Sequence, residues 1–322
     1  MNTTSRLPDI IDPTIFEIFE QSKDQLSKEL QYPELGYMPY SPSIPNPKFS
    51  SVSGLSIAQL TLQGQPYSAE DFTQGYDVQA TVKKYTKQVT YTEELYHWIS
   101  RGNKEMAQEF NDSIGAVTQS LHERMDTEAA KLFYLAHGTT FQTGGDAVAL
   151  AAYNHPSTEP GVSTQRNIFQ TTEAHEPISY TAIVKFRDRL TRLYDLKGVQ
   201  MTKPRDLELW CAQENLDSAE RALKTNLLPG TQLNDLSTLR NTIKIKVLDW
   251  IPAGYSTYWG IVAKNRVRRG TKMLTGWMPR LENETNYSNG TYYKNGSVYF
   301  APMFRDWQWG MFSKGDGSAV SA

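Results

Sequence analysis

From Met106 the chain repeats apolar residues in steps of three and four, at Phe110, Ile114, Val117, Leu121, Met125, Ala129, Leu132 and Ala136. Such spacing marks one face of a continuous amphipathic helix within the stretch Thr92 to Gly138. No proline lies between Asn103 and His137, and Gly138 stands where a C-terminal cap is wanted. At 1.5 Å per residue this predicts a rod of roughly 50 Å, about three times the usual globular helix. The opposite face (Lys104, Gln108, Asp112, Gln119, Glu123, Thr127, Lys131) is polar and is left for water or a neighbour. A coiled coil fits less well, because the stripe repeats nearer ~3.7 than ~3.5 residues and the stretch contains Gly115 and Ala129. One long helix beside abundant strand-like sequence reads as a spine.

The flanking sequence falls into four further parts. Residues 1–53 carry a short apolar patch (Ile10, Ile11, Ile15, Phe16, Ile18, Phe19), where Thr14 could cap a short helix. The proline- and tyrosine-rich run YPELGYMPYSPSIPNPKF follows. Proline at that density favours an extended arm, and the interleaved tyrosines would bury most easily on a neighbouring surface. Residues 54–92 alternate as strands, LSIAQLTLQ and YDVQATVKKYTKQVTYT, around a turn holding Gly64, Pro66 and Gly75. An isolated two-stranded finger is marginal in water, so this one is expected to lie on its own body or, by preference, on another chain. Residues 93–178 hold the rod and a Gly/Thr-rich loop. Residues 179–263 alternate helix and strand (helix 179–198 stopped by Gly198, strand 206–213, helix 214–225, strands 241–250 and 257–264), as a compact α/β unit would. Residues 264–322 return to strand and must rejoin a sheet, beside the rod. The fold class is α+β.

The chemistry-bearing residues are sparse. A net charge of −2 argues against a chain built to grip nucleic acid. The single cysteine, Cys211, excludes an intrachain disulfide and reads as a small core residue. His97, His122, His137, His155 and His175 show no metal-ligand spacing; His122 and His137 fall about four turns apart on the predicted rod, and His155 in YNHP suggests a local turn contact. No nucleophile elbow, dinucleotide fingerprint or phosphate loop occurs. We therefore expect no catalytic, cofactor-binding or metal-binding residues, and no enzyme. Neither a signal peptide nor a membrane span is visible in the sequence.

What the sequence does offer is surface. With 18 Tyr and 7 Trp it suits extensive packing and subunit contacts. The residues expected to contact other subunits are Tyr37 and Tyr40 on the arm, and Tyr67, Glu70, Asp71, Phe72, Lys83, Lys84 and Lys87 on the finger. To these we add Arg266, Arg268 and Arg269 in the basic run KNRVRRGTK. The lysines could meet acids such as Glu70 and Asp71 on another copy. The basic run, short and without stacking aromatics, reads as a solvated loop or a salt-bridge partner before it reads as a nucleic-acid patch.

Taken in order, arm, finger, rod, Gly/Thr-rich loop, α/β unit and returning strands resemble the major capsid protein of tailed phages, the Hong Kong 97-type fold. The strings YTKQVTYTEEL, MDTEAAKLFYLAHGTTFQTGGDAVALAAYNHP and LELWCAQENLDSAERAL are similar to the Mu-like major head subunit group. The resemblance implies an N-terminal arm (1–53), an extended β-hairpin E-loop (54–92), a peripheral domain with the spine helix (93–178) and an α/β axial domain (179–263). A returning β segment (264–322) completes it. It also implies self-assembly into hexamers and pentamers of an icosahedral shell around double-stranded DNA, with the DNA touched only by non-specific proximity. Scaffolding, portal and decoration proteins would be the other partners, with no membrane involved, and the chain would be made in the bacterial cytoplasm and end in the virion. Some relatives crosslink a finger lysine to an asparagine; no lysine here aligns with it, so the crosslink is not carried over. The arm begins almost at Met1, which implies either a mature product or a separate scaffold. An encapsulin-like nanocompartment shell, a tail or decoration protein, and a soluble α/β enzyme are the competing readings.

Overall fold

The structure is a computed structural model, and it describes residues 7–52, 60, 69, 74–101, 104–157, 161–196, 198–225, 239, 242–286 and 290–320. The rod is there. Helix α3 (Lys104–Tyr134) follows α2 (Glu93–Ser100), whose first turn is capped by the Thr92 hydroxyl accepting from the Leu95 N–H. The apolar stripe from Phe110 to Leu132 is buried, while Lys104, Gln108, Asp112 and Gln119 are exposed. The C-terminal half is buried more fully than the stripe alone requires: Thr118, His122, Glu128, Ala130, Phe133 and Tyr134 are covered too. The helix ends at Tyr134, so His137 lies beyond it rather than on it.

Two sheets meet the rod. The first runs β1-β8-β9-β4, from β1 (Met38–Tyr40), β4 (Lys83–Thr92), β8 (Thr271–Asn286) and β9 (Thr291–Phe304); β1 is parallel to β8, and the other pairs are antiparallel. The expected return of the last segment to the rod is seen in β9. A methyl group at Gly296 would come within 2.5 Å of Val117 Cγ1 and 3.0 Å of Leu121 Cδ1, so glycine lets the helix lie directly on the strand. Phe300 and Val298 of β9 join Val117, Leu121 and Met125 in one core.

The second sheet runs β10-β7-β5-β6, from β5 (Leu207–Cys211), β6 (Lys244–Val247), β7 (Trp259–Ala263) and β10 (Gly310–Ser313). Helices α4 (Tyr180–Thr191) and α5 (Leu216–Lys224) belong to this unit, as does the short α6 (Lys264–Gly270). Every residue of β7 is buried, and Trp210, Trp259 and Trp309 are among the largest fully buried side chains. Helix α4 ends earlier than Gly198. The Gln165 side chain accepts from the Tyr194 N–H at 2.8 Å and donates to the Tyr194 carbonyl at 2.9 Å, which draws the chain off the helical path. Gly198, with φ of 76°, instead serves a turn between Asp195 and Val199.

The N-terminal region departs most from the expected extended arm. Leu7–Ser27 is one helix, α1, packed along α3, with Phe19 against Tyr91, Phe110, Ile114 and Leu281. The following turn is fastened to the rod by Asp126, which accepts the backbone N–H of Gln31 and of Tyr32, each at 2.9 Å. Leu30, Tyr32, Leu35 and Tyr37 are part of the main core. Of the tyrosines in the proline-rich run, Tyr32 and Tyr37 are therefore buried on their own chain against α3, while Tyr40 stays exposed.

The finger is corrected as well. Strand β3 (Gln74–Gln79) pairs antiparallel with β2 (Lys48–Val52), a strand that lay inside the expected arm. The chain then leaves strand geometry at Ala80–Val82 and re-enters as β4, which pairs with β9 from Lys83↔Phe300 to Thr92↔Thr291. What reads as one finger strand is two strands of one subunit. The segment LSIAQLTLQ lies outside the described residues except for Leu60, which is exposed.

Candidate functional site

The twelve contact candidates separate into three groups. Tyr37 and Arg266 are internal. The Tyr37 hydroxyl donates to the Ala129 carbonyl of the rod at 2.8 Å, and burial pushes its pKa upward. Arg266, 6% exposed, donates from Nη1 to the carbonyls of Leu190 (3.0 Å) and Gln308 (3.4 Å), and from Nη2 to that of Thr202. It gathers three segments from inside, and loss of hydration lowers its pKa to about 10. Neither residue is available to another subunit.

Tyr40, Lys83, Lys84, Lys87, Arg268 and Arg269 are exposed. Tyr40 stands edge-on to Phe49 at 5.1 Å, with Lys272 Nζ 4.9 Å from its ring. Lys84 Nζ lies 5.9 Å over Trp277, whose other neighbours are Tyr299 at 4.6 Å and the Arg280 guanidinium at 4.2 Å. Lys83, Lys84 and Lys87 share β4, the edge strand of its sheet, while Arg268 and Arg269 sit on α6 at the other side of the β8 strand's start. Tyr67, Glu70, Asp71 and Phe72 lie outside the described residues.

Two buried polar arrangements escaped the sequence reading. His155 makes more than a local turn contact. Its Nδ1 is 2.7 Å from Asp146 Oδ2, its Nε2 is 3.3 Å from Asn167 Oδ1, and its ring stacks on Trp307 at 4.0 Å and 8°. Asn167 ties this cluster to the main chain at Leu150 and Ala152. His137 and His175 stand edge to face at 5.0 Å, and burial holds both pKa values below the usual range, His137 at about 3. Nδ1 of His175 accepts the Lys314 N–H at 3.4 Å, so the neutral ring helps to hold the C-terminal segment.

A cavity of about 550 Å³ opens between β3, the 195–202 turn, α6 and residues 304–309, with Tyr76, Asp195, Arg269 and Asp306 on its walls. Asp306 is already paired with Arg305 through Nε (2.9 Å) and Nη2 (2.8 Å), and burial nonetheless raises its pKa. Among the described residues no three His, Cys, Asp or Glu side chains group as metal ligands, and no helix is long and apolar enough to cross a membrane.

No family model matches the chain, and no curated protein does. Solved structures do match. The capsid of Myoviridae phage XM1 aligns over 88% of this chain and 91% of its own, with a TM-score of 0.50 and 12% identity. The capsid of the cyanophage P-SCSP1u aligns over 88% and 87%, with a TM-score of 0.52 and 10% identity. This chain has the tailed-phage capsid fold. A chain of Mycobacterium phage Patience gives a TM-score of 0.51 over 99% of this chain and 90% of its own, again at 12% identity. At such identities the likeness is one of fold. It covers 88% or more of this chain and 87% or more of each of these solved chains, rather than one shared module.

Proposed function

We propose that this chain is the major capsid (head) protein of a tailed bacteriophage, its copies forming the hexamers and pentamers of an icosahedral shell around double-stranded DNA. The observation that carries this reading is the likeness to two phage capsid structures over 88% of this chain in each case. In this reading the rod and the β1-β8-β9-β4 sheet form the peripheral domain, and the β10-β7-β5-β6 sheet with α4 and α5 forms the axial domain at the capsomer centre. The E-loop (54–92) would reach over a neighbour. The Mu-like grouping rests on the three strings quoted above. The chain would act by assembly rather than catalysis and end in the virion. A separate scaffold, a portal and decoration proteins would be its other partners.

Negative-stain microscopy with sedimentation of the purified protein tests this directly. Closed shells, hexamers or pentamers are the expected result, and a monomer that persists at high concentration, with and without a scaffold, would exclude it. Particles from the native source should hold nucleic acid; a protein cargo in its place would point to a nanocompartment shell.

A further inference from the structure

We propose that neighbouring copies meet head to tail, the lysine-bearing edge strand β4 of one copy docking on the acidic solvent stripe of α3 in the next. This rests on the capsid reading and names a contact within it. Lys83, Lys84 and Lys87 are all exposed on a strand whose other edge alone is taken, by β9. Among the described residues no carboxylate lies within ion-pair distance of any of the three.

The complementary surface is on the same chain but on another side of it. The buried face of α3 passes through Phe110, Ile114, Val117 and Leu121. About half a helical turn away, Glu105, Glu109 and Asp112 follow at steps of four and three, all exposed and on one stripe. Neither Glu109 nor Asp112 has an intrachain cation beside it among the described residues. Strand side chains alternate, so Lys83 and Lys87 rise from one face of β4, ~13 Å apart, and Lys84 from the other, the three flanking the open edge. From Glu105 to Asp112 the acids span ~10 Å.

Two different patches make a two-fold contact only where both are engaged across one axis, and the contact proposed here engages one patch of each copy. It is a heterologous one, which closes into a ring when the rotation allows. A second copy is favoured over nucleic acid because a carboxylate stripe of comparable span lies on the chain itself, and because the net charge is −2.

The test uses two charge-reversed full-length chains, K84E/K87E and E109K/D112K, examined by sedimentation velocity and microscopy, with circular dichroism to establish folding. Each alone should need roughly tenfold more protein to associate, since each contact loses two pairs and gains repulsion. Mixed one to one, the two variants should associate again, because each then meets its complement in the other. The milder K84Q/K87Q chain should fall between wild type and K84E/K87E, which keeps the test open if a reversal disturbs folding. Wild-type-like assembly of K84E/K87E, or a folded mixture that stays apart, overturns the pairing while leaving the capsid reading in place. Intact assembly with lost DNA retention also overturns it, in favour of a nucleic-acid contact. A wild-type chain that never associates overturns both.

Discussion

The two sheets of this molecule are built to opposite standards. In β10-β7-β5-β6 the central strands β7 and β5 are buried almost throughout, and Trp210, Trp259 and Trp309 pack with Phe133, Phe186 and Phe312 around them. In β1-β8-β9-β4 only one face is sealed by the rod; β4 is a ten-residue edge strand with seven exposed positions. A sheet covered on both faces is a self-sufficient core. An edge strand is an open hydrogen-bonding template, and lysines along it are a common way of refusing indiscriminate partners. The β10-β7-β5-β6 sheet supplies stability, and the β1-β8-β9-β4 sheet leaves an exposed, lysine-bearing edge.

The comparison breaks most visibly at the tryptophans. Trp259→Ala should cost about 3–5 kcal/mol, as removal of a fully buried aromatic does, and a denaturation midpoint near that of wild type would show that the second sheet is not the stabilising core. A charge at Ile114 or Leu121, 0% and 2% exposed, should prevent folding altogether, because neither site offers a partner for it. Arg266→Met comes next. It leaves the carbonyls of Leu190, Gln308 and Thr202 without their donor, at a cost of about 2–3 kcal/mol by urea denaturation. If Arg266 were instead a contact residue, Arg266→Met would spare stability and weaken assembly.

How much of this was legible in the sequence follows from where each partner lies. The rod was readable because its signal is local: Phe110, Ile114, Val117 and Leu121 declare a face within three turns. Strands β5 and β7 were readable for the same reason, as runs of mostly buried apolar residues. Pairing was not, since Lys83 finds Phe300 more than 200 residues away and nothing near β4 encodes β9. Tyr37 and Arg266 were misread because proline-rich and basic composition describe a segment's average character. Their destinations are single carbonyls on distant elements, Ala129 for one and Leu190, Thr202 and Gln308 for the other. The edge lysines were visible, but that they lie on an edge was not.

Acid should sharpen the contrast between the two halves. His137 and His175 lie beside Lys314, with Asp316 and Tyr258 as the other titratable neighbours, and both rings are held neutral by burial. Their folded pKa values lie below the unfolded value of about 6.5, so the unfolded chain binds more protons once the pH drops beneath that value. Stability is therefore complete above about pH 6.5 and declines as pH falls, the His137 part continuing to about pH 3. Between pH 6.5 and 5 the loss should be about 1–2 kcal/mol, after allowance for partial solvent access. His137→Gln should flatten that slope.

The smallest effect belongs to the exposed side of the rod. Gln108→Lys or Gln119→Lys should change stability by less than about 0.5 kcal/mol, since both side chains are exposed. Their effect on assembly should nonetheless differ in sign from that of a glutamate at the same position, because the stripe they border is acidic. A lysine there weakens its attraction for the β4 edge of the next copy, and a glutamate strengthens it. Equal assembly of both variants, by sedimentation velocity at low salt, would mean that the outer face of the rod meets only water.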